Sequence, residues 1–291
     1  MESSTALVLN AIIAGLLLGG FYAALSVVIS ISFGMLDVVN IAHPAFIILG
    51  SYIAYIVNDR IGLDPIAVSV VVSPLFFGLG MLLYRVYYLC FEKRGQESLR
   101  GLAFFFGILF ITEVALVLVF GVDYRLVQTS YSETTLRLGA VDFPLRLVVP
   151  FLVSVTMVVG IQLFLTHTFF GRAVLAVAQD QVALRLMGVN PFRVKELAFG
   201  LSIATAAVAG AFLIVIQPVQ PAIGREYIGL VFAVCVLGGM GSIWGTLLGA
   251  LVLGLAESFT STFFGPSWAP AVSFGLLLAA LVFKPSGLLG R

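Results

Sequence analysis

Charge is what this sequence has least of. Only 10% of its 291 residues are Asp, Glu, Lys or Arg, against roughly 25% in a soluble domain, so there is too little charge to coat a surface that meets water. Fifteen basic and fourteen acidic residues leave a net charge of +1. No run of like charge offers a patch for phosphates, which excludes nucleic acid as a partner. Cysteine is nearly absent as well. Cys90 and Cys235 sit far apart in apolar segments with no CxxC and no cluster of histidines, so a disulfide framework and a zinc site are both excluded and the two read as packing residues. The two histidines, His43 and His167, belong to no HExxH, and there is no GxSxG elbow; no catalytic residue is expected. No GxxxxGK[ST] loop is present, so the chain is not expected to bind and hydrolyse ATP by itself, any ATP-driven work would have to come from a partner, and no cofactor or metal is expected on this chain. The N-terminal Met-Glu-Ser-Ser has no basic segment, and the apolar stretch after it is too long for a signal; it reads as a retained first span.

What is abundant is apolar. Hydrophobic residues make up 61% of the chain and the mean hydropathy is +1.15. Polar punctuation divides it into eight apolar blocks: Ala6 to Leu36, Ile41 to Val57, Pro65 to Phe91, Leu99 to Gly121, Leu145 to Phe170, Leu197 to Gln217, Tyr227 to Ala256 and Ser261 to Phe283. A helix needs about 20 apolar residues to cross a hydrocarbon core. Barrel strands alternate apolar and polar, and these runs are continuous, so the expected fold is an all-α polytopic membrane bundle, one transmembrane domain over 1–291.

Two blocks are too long for one simple span. Ala6 to Leu36 carries Gly19-Gly20 and reads either as one long helix or as two short ones. Tyr227 to Ala256 carries Gly238-Gly239-Met240-Gly241-Ser242, which can interrupt a helix where protein buries the freed backbone. The basic residues help to decide. Four lie between Arg85 and Arg100 and four between Arg172 and Lys195, placing both segments in the cytoplasm. Only if the second block breaks at its glycines do Lys284 and Arg291 also end inside. The same walk places Val122 to Arg146 and Pro218 to Glu226 outside and gives nine or ten membrane elements. Gly241, Gly245 and Gly249 recur every four residues, with Gly254 roughly continuing the stripe, and Ala204, Ala207 and Ala211 do the same one block earlier; such stripes let helices approach closely.

Few polar groups interrupt the apolar blocks. Glu113 lies inside its block, where a charge costs about 2.5–3.5 kcal/mol, so its carboxyl should face the bundle interior, paired or protonated. Glu257 reads as a group near a helix end, exposed to water. Asn40 and His43 precede an apolar block, with Pro44 suited to a first helical turn. In the 171–196 loop, Asp180 is a good N-cap, Gln181 to Met187 are helix formers and Gly188 is placed to end the helix. Two turns of helix are unstable alone. Val182, Ala183, Leu184, Leu186 and Met187 need cover, either from the bundle itself or from a soluble partner.

Three stretches resemble the permeases of branched-chain amino acid ABC importers, the LivH type: Gly15 to Ala24 running into Phe33-Gly34 and Asn40-Ile-Ala-His43; Gly171-Arg172 through Asp180 to Asn190; and Leu237 to Ser242 with Gly245 and Gly249. The likeness covers nearly the whole chain. It implies a multi-pass protein of the bacterial inner membrane with a cytoplasmic C-terminus, working with an extracytoplasmic solute-binding protein, a second permease (LivM-like or another copy) and ABC ATPase subunits that use ATP and Mg. By the resemblance, the segment from Gln181 through Ala183, Leu184, Leu186 and Met187 to Gly188 is the ATPase-coupling helix, capped by Asp180 and anchored by Arg172. Asn40, His43 and Glu113 are the candidate lining of the solute pathway, and Gly238, Gly239, Gly241, Gly245 and Gly249 the helix break and packing stripe. Family members commonly have Gly and an acidic residue after the histidine, whereas this chain has Pro44 and Ala45, which widens the solute class from hydrophobic amino acids to urea and short amides. The alternative is a self-sufficient secondary transporter or channel with Glu113 as its proton or ion site.

Overall fold

The computed structural model describes residues 2–94, 98–138 and 141–290; residues 95–97 of the first basic segment, 139–140 of the external loop and Arg291 lie outside that description. The chain is helical almost throughout. In order come α1 (Glu2–Ser32), α2 (His43–Ile61), α3 (Pro65–Cys90), α4 (Ser98–Phe120), a hairpin of β1 (Thr135–Leu138) and β2 (Val141–Pro144), α5 (Leu145–His167), α6 (Phe169–Gln179), α7 (Gln181–Leu186), α8 (Pro191–Ile216), α9 (Gly224–Gly238), α10 (Ile243–Phe263) and α11 (Ala269–Phe283). Eight described helical segments are long and apolar enough to cross a membrane. α2 falls outside that set because Asn58, Asp59 and Arg60 occupy its last turn, yet it packs closely against α8.

The first block is one uninterrupted helix, α1, and Gly19-Gly20 pack it without breaking it. A Cβ on Gly19 would stand 2.7 Å from the carbonyl oxygen of Ala250 on α10, so only glycine lets the two backbones approach this closely. The second long block does break. α9 stops at Gly238, Gly239 and Gly241 take φ of +102° and +80°, and the Ser242 hydroxyl accepts from the Gly245 amide at 3.1 Å to start α10. Gly245 and Gly249 lie against Gly238 and Val234 of α9, whereas Gly254 packs on Gly15 and Gly19 of α1. This corrects the single stripe expected from the sequence. The five-residue step from Gly249 to Gly254 turns the helix by about 140° and faces a different neighbour.

α8 and α1 are the most buried spans, α4 and α11 the least. Ala204, Ala207 and Ala211 are all buried, and a Cβ on Gly50 of α2 would lie 3.1 Å from the Cα of Ala207. The core is therefore built on small residues through which α2 and α8 close on each other.

The loops sort onto two faces. On one, the 122–146 segment makes an antiparallel bridge between Arg125 and Val219, and the Asp142 amide donates to Asn10 Oδ1 at 3.0 Å. Tyr131 also meets Asp64 at 3.5 Å; burial, and secondarily that carboxylate, push its hydroxyl up to about 12, so it stays protonated. The other face lies across α4, about 35 Å away for 23 residues. There the two basic segments meet through Lys195 and Glu92, residues 33–37 and 177–181 line a common cavity of about 470 Å³, and the C-terminal tail binds the end of α9, Leu288 N to Leu237 O at 2.8 Å. The hairpin itself was not legible in the sequence pattern.

Candidate functional site

The expected cytoplasmic loop is more regular than its sequence suggests. α6 precedes the short helix, capped by the Thr168 hydroxyl, which accepts from the Gly171 amide at 3.0 Å. It buries Gly171, Ala173, Val174 and Val177 against the bundle and leaves Arg172 exposed. Asp180 then ends α6 and starts α7. Its Oδ1 accepts from Val182 N at 2.7 Å and Ala183 N at 3.0 Å, satisfying two of the helix's free amides. At the other end Gly188 takes φ +80°; its amide donates to Arg185 O and the Val189 amide to Leu184 O, which is a Schellman stop.

α7 presents two apolar sides. Leu184 is 5% exposed and anchors the helix to the bundle, while Val182, Leu186 and Met187 are 67%, 85% and 79% exposed. Ala183 is exposed too and Gln181 half-buried. Leu184 thus takes its cover from the bundle itself, because a helix rotates about 200° between positions two apart and does not show Leu184 and Leu186 to one neighbour. A cavity of about 390 Å³ lies between α7 and the end of α3, lined by Tyr88, Glu92, Gln181, Arg185, Phe192 and Lys195 among others.

Behind it sits a charge pair that the sequence did not reveal. Lys195 Nζ donates to Glu92 Oε1 at 2.7 Å with side chains 4% and 10% exposed, and Tyr84 Oη donates to Glu92 Oε2 at 2.7 Å. The ammonium of a helix that starts just after α7 is thus fixed to the end of α3. The two basic segments are bonded together as well as close.

The candidate pathway residues do not converge on one point. Asn40 and His43 are fully buried, with His43 Nε2 2.7 Å from Leu25 O. Neither amide atom of Asn40, nor His43 Nδ1, has a hydrogen-bond partner among the described residues. Glu113 lies elsewhere, at the hairpin-side half of α4, paired with Arg225 Nη2 at 2.8 Å. That pairing is the state expected of a carboxylate at such depth. Glu257 departs from expectation. It is 6% exposed and accepts from Tyr22 Oη at 2.6 Å and from the Ser273 hydroxyl; α1 and α11 both pack against α10 and cover it. No signal within its own segment could have shown this, since the covering residues are 235 and 16 positions away. Among the described residues no group of three or more His, Cys, Asp or Glu is placed to hold a metal.

A helical bundle with eight described segments long and apolar enough to cross a membrane, a glycine-broken span and a capped surface helix on one face has the form of a multi-pass membrane protein. Comparison makes the class specific. The model for the family described as the permease component of the branched-chain amino acid transport system matches residues 11–281. The high-affinity branched-chain amino acid transport system permease protein BraD of Pseudomonas aeruginosa is 31% identical, covering 97% of this chain and 96% of its own. The corresponding LivH of Escherichia coli is 28% identical, covering 95% and 94%. The LivM permease of the same organism is 31% identical over 50% of this chain and 35% of its own length. No solved structure matches. The chain belongs to the family of branched-chain amino acid transport system permease components.

Proposed function

We propose that this chain is the transmembrane permease subunit of an ATP-driven importer of branched-chain or related hydrophobic amino acids. The family membership supports the transport role, and the relatives named BraD and LivH support the solute class. Likeness to LivM as well supports a pathway built from this chain and a related second permease. The face bearing α6, α7 and the C-terminal tail is cytoplasmic in this reading, since it gathers the basic segments, and the membrane is the bacterial inner one. An extracytoplasmic binding protein delivers solute to the hairpin face.

The observation that carries the mechanism is the exposure of Val182, Leu186 and Met187 on a helix fixed at both ends. Exposed apolar side chains in a water-facing segment mark a docking surface. Seated in a groove of an ATPase subunit, they receive its closing motion. Leu184 and the Lys195–Glu92 bond carry that motion to the starts of α8 and the end of α3, and α8, packed along α2 and α3, tilts beside the solute path. ATP and Mg act in the partner; this chain contributes no reacting group. Asn40 and His43, buried with unpartnered polar atoms, are the proposed polar lining of the inner half of the path. Glu113, neutralised by Arg225, leaves little for a proton-driven alternative. The test is uptake of leucine, valine, phenylalanine, urea and acetamide by cells with and without this chain. Leucine and valine uptake should depend on it, and independence of all five overturns the reading.

A further inference from the structure

At the hairpin face the start of α9, the end of α10 and the start of α11 enclose a cavity of about 470 Å³, within the range of small-molecule sites. Its lining is chemically divided. Glu257, Tyr22 and Ser273 form a polar floor, Arg225 and Glu226 a charged rim, and Ile223, Leu230 and Phe274 an apolar wall. We infer that this cavity is a subsite for a zwitterionic, apolar α-amino acid, with the Glu257 carboxylate taking the ammonium group, Arg225 the carboxylate and the apolar wall the side chain.

The bonding capacity of the two charged groups supports the assignment. A carboxylate offers about four acceptor sites, and Glu257 has two neutral hydroxyl donors on it, Tyr22 and Ser273; no cation of the described residues is bonded to it. A buried carboxylate held by hydroxyls alone gains from an added cation, which converts neutral contacts into a charge-assisted one. A guanidinium has five N–H donors; Arg225 is bonded to Glu113 through Nη2 and its side chain remains 51% exposed, so donors are left for an incoming carboxylate. An uncharged amide satisfies neither end, and a simple amine leaves Arg225 facing a like charge.

A second observation concerns what lies below the floor. Tyr22, Ser26 and Ser30 recur every four residues along one side of α1, and the hydroxyls of Ser26 and Ser30 are buried without a hydrogen-bond partner among the described residues. The stripe ends at Gly34, in contact with Gly241 of the helix break. A polar line thus leads from the cavity floor toward the opposite face, which suits a subsite at the head of a path and not an isolated surface dent.

This inference rests on the importer reading for the identity of the solute, and the experiment separates the two. The full chain, with the subunits that remain bound in mild detergent but without binding protein, is titrated calorimetrically with L-leucine, 4-methylpentanoate and 3-methylbutylamine. Leucine should bind more tightly than either analogue. Glu257→Gln should weaken leucine by about tenfold or more while leaving 4-methylpentanoate unchanged. Ala269→Phe, which fills the cavity without touching the bonds to Glu257, should weaken all three at unchanged melting temperature, and it decides the matter if Glu257→Gln does not fold. The subsite is overturned if leucine at about 1 mM does not bind, if 4-methylpentanoate binds as well as leucine, or if Ala269→Phe binds leucine like the parent. ATP-dependent leucine uptake by the parent complex is measured alongside. Its loss refutes the importer reading, and its persistence with any of the three overturning results refutes the subsite alone.

Discussion

Lys195 Nζ lies 2.7 Å from Glu92 Oε1, with both side chains almost wholly withdrawn from solvent. The bond joins two segments 103 residues apart. Removing one partner of a buried pair strands the other charge, at a cost of about 3–5 kcal/mol. Lys195→Met should therefore lower the melting temperature in detergent sharply, while Lys195→Met combined with Glu92→Gln should be much milder than the sum of the single changes. Additive effects in this double-mutant cycle would show that the two do not interact in the folded protein.

The two sides of α7 predict opposite phenotypes. Leu184→Asp places a charge in the bundle and should reduce folded yield. Met187→Asp or Leu186→Asp alters only an exposed position, so melting should stay within about 0.5 kcal/mol of the parent while uptake is lost. Membrane yield, melting temperature and leucine uptake measured on the same preparations distinguish these outcomes; a stable Leu184→Asp protein would refute the anchoring role.

The caps of α7 can be tested without touching either apolar side. Asp180→Ala removes the acceptor for two backbone amides and should cost about 1 kcal/mol of local helix stability. Gly188→Val forces a β-branched residue to φ +80° at a cost of about 1–2 kcal/mol. Amide hydrogen exchange over 181–187 should accelerate by about fivefold or more in each. Unchanged exchange would mean that the helix is held by contacts other than its caps.

Close approach of α1 and α10 gives a positional contrast between glycines. A Cβ at Gly19 meets the Ala250 and Leu251 backbone at 2.7 and 2.8 Å, whereas one at Gly78 meets nothing within 4 Å. Gly19→Leu should abolish folded yield and Gly78→Leu should be tolerated, as read by size-exclusion profiles in detergent. Equal behaviour of the two would contradict the backbone contact.

Much of this architecture was legible because bilayer and helix impose strong periodic demands. Continuous apolar runs mark the spans, the Gly238–Ser242 cluster marks the break, and Asp180 with Gly188 marks both ends of α7 in the sequence itself. These are local signals. What stayed hidden was set by the meeting of distant segments: the covering of Glu257 by Tyr22 and Ser273, the bond between Lys195 and Glu92, and the turning of Gly254 toward α1. The β-hairpin was hidden for another reason, since four-residue strands between polar turns leave too short a pattern to read. Leu184 shows the limit at the scale of one helix, because apolar character alone does not say which neighbour covers a side chain.

In the proposed mechanism this chain is the passive half of a machine, moved by an ATPase through α7. Its most direct test is a mass-spectrometric inventory of the subunits that copurify with the full chain in mild detergent, for the parent and for Met187→Asp. ABC ATPase subunits should copurify with the parent and be lost from an otherwise intact Met187→Asp protein. A parent that purifies without any ATPase, yet carries out gradient-driven leucine uptake by itself in liposomes, would contradict it.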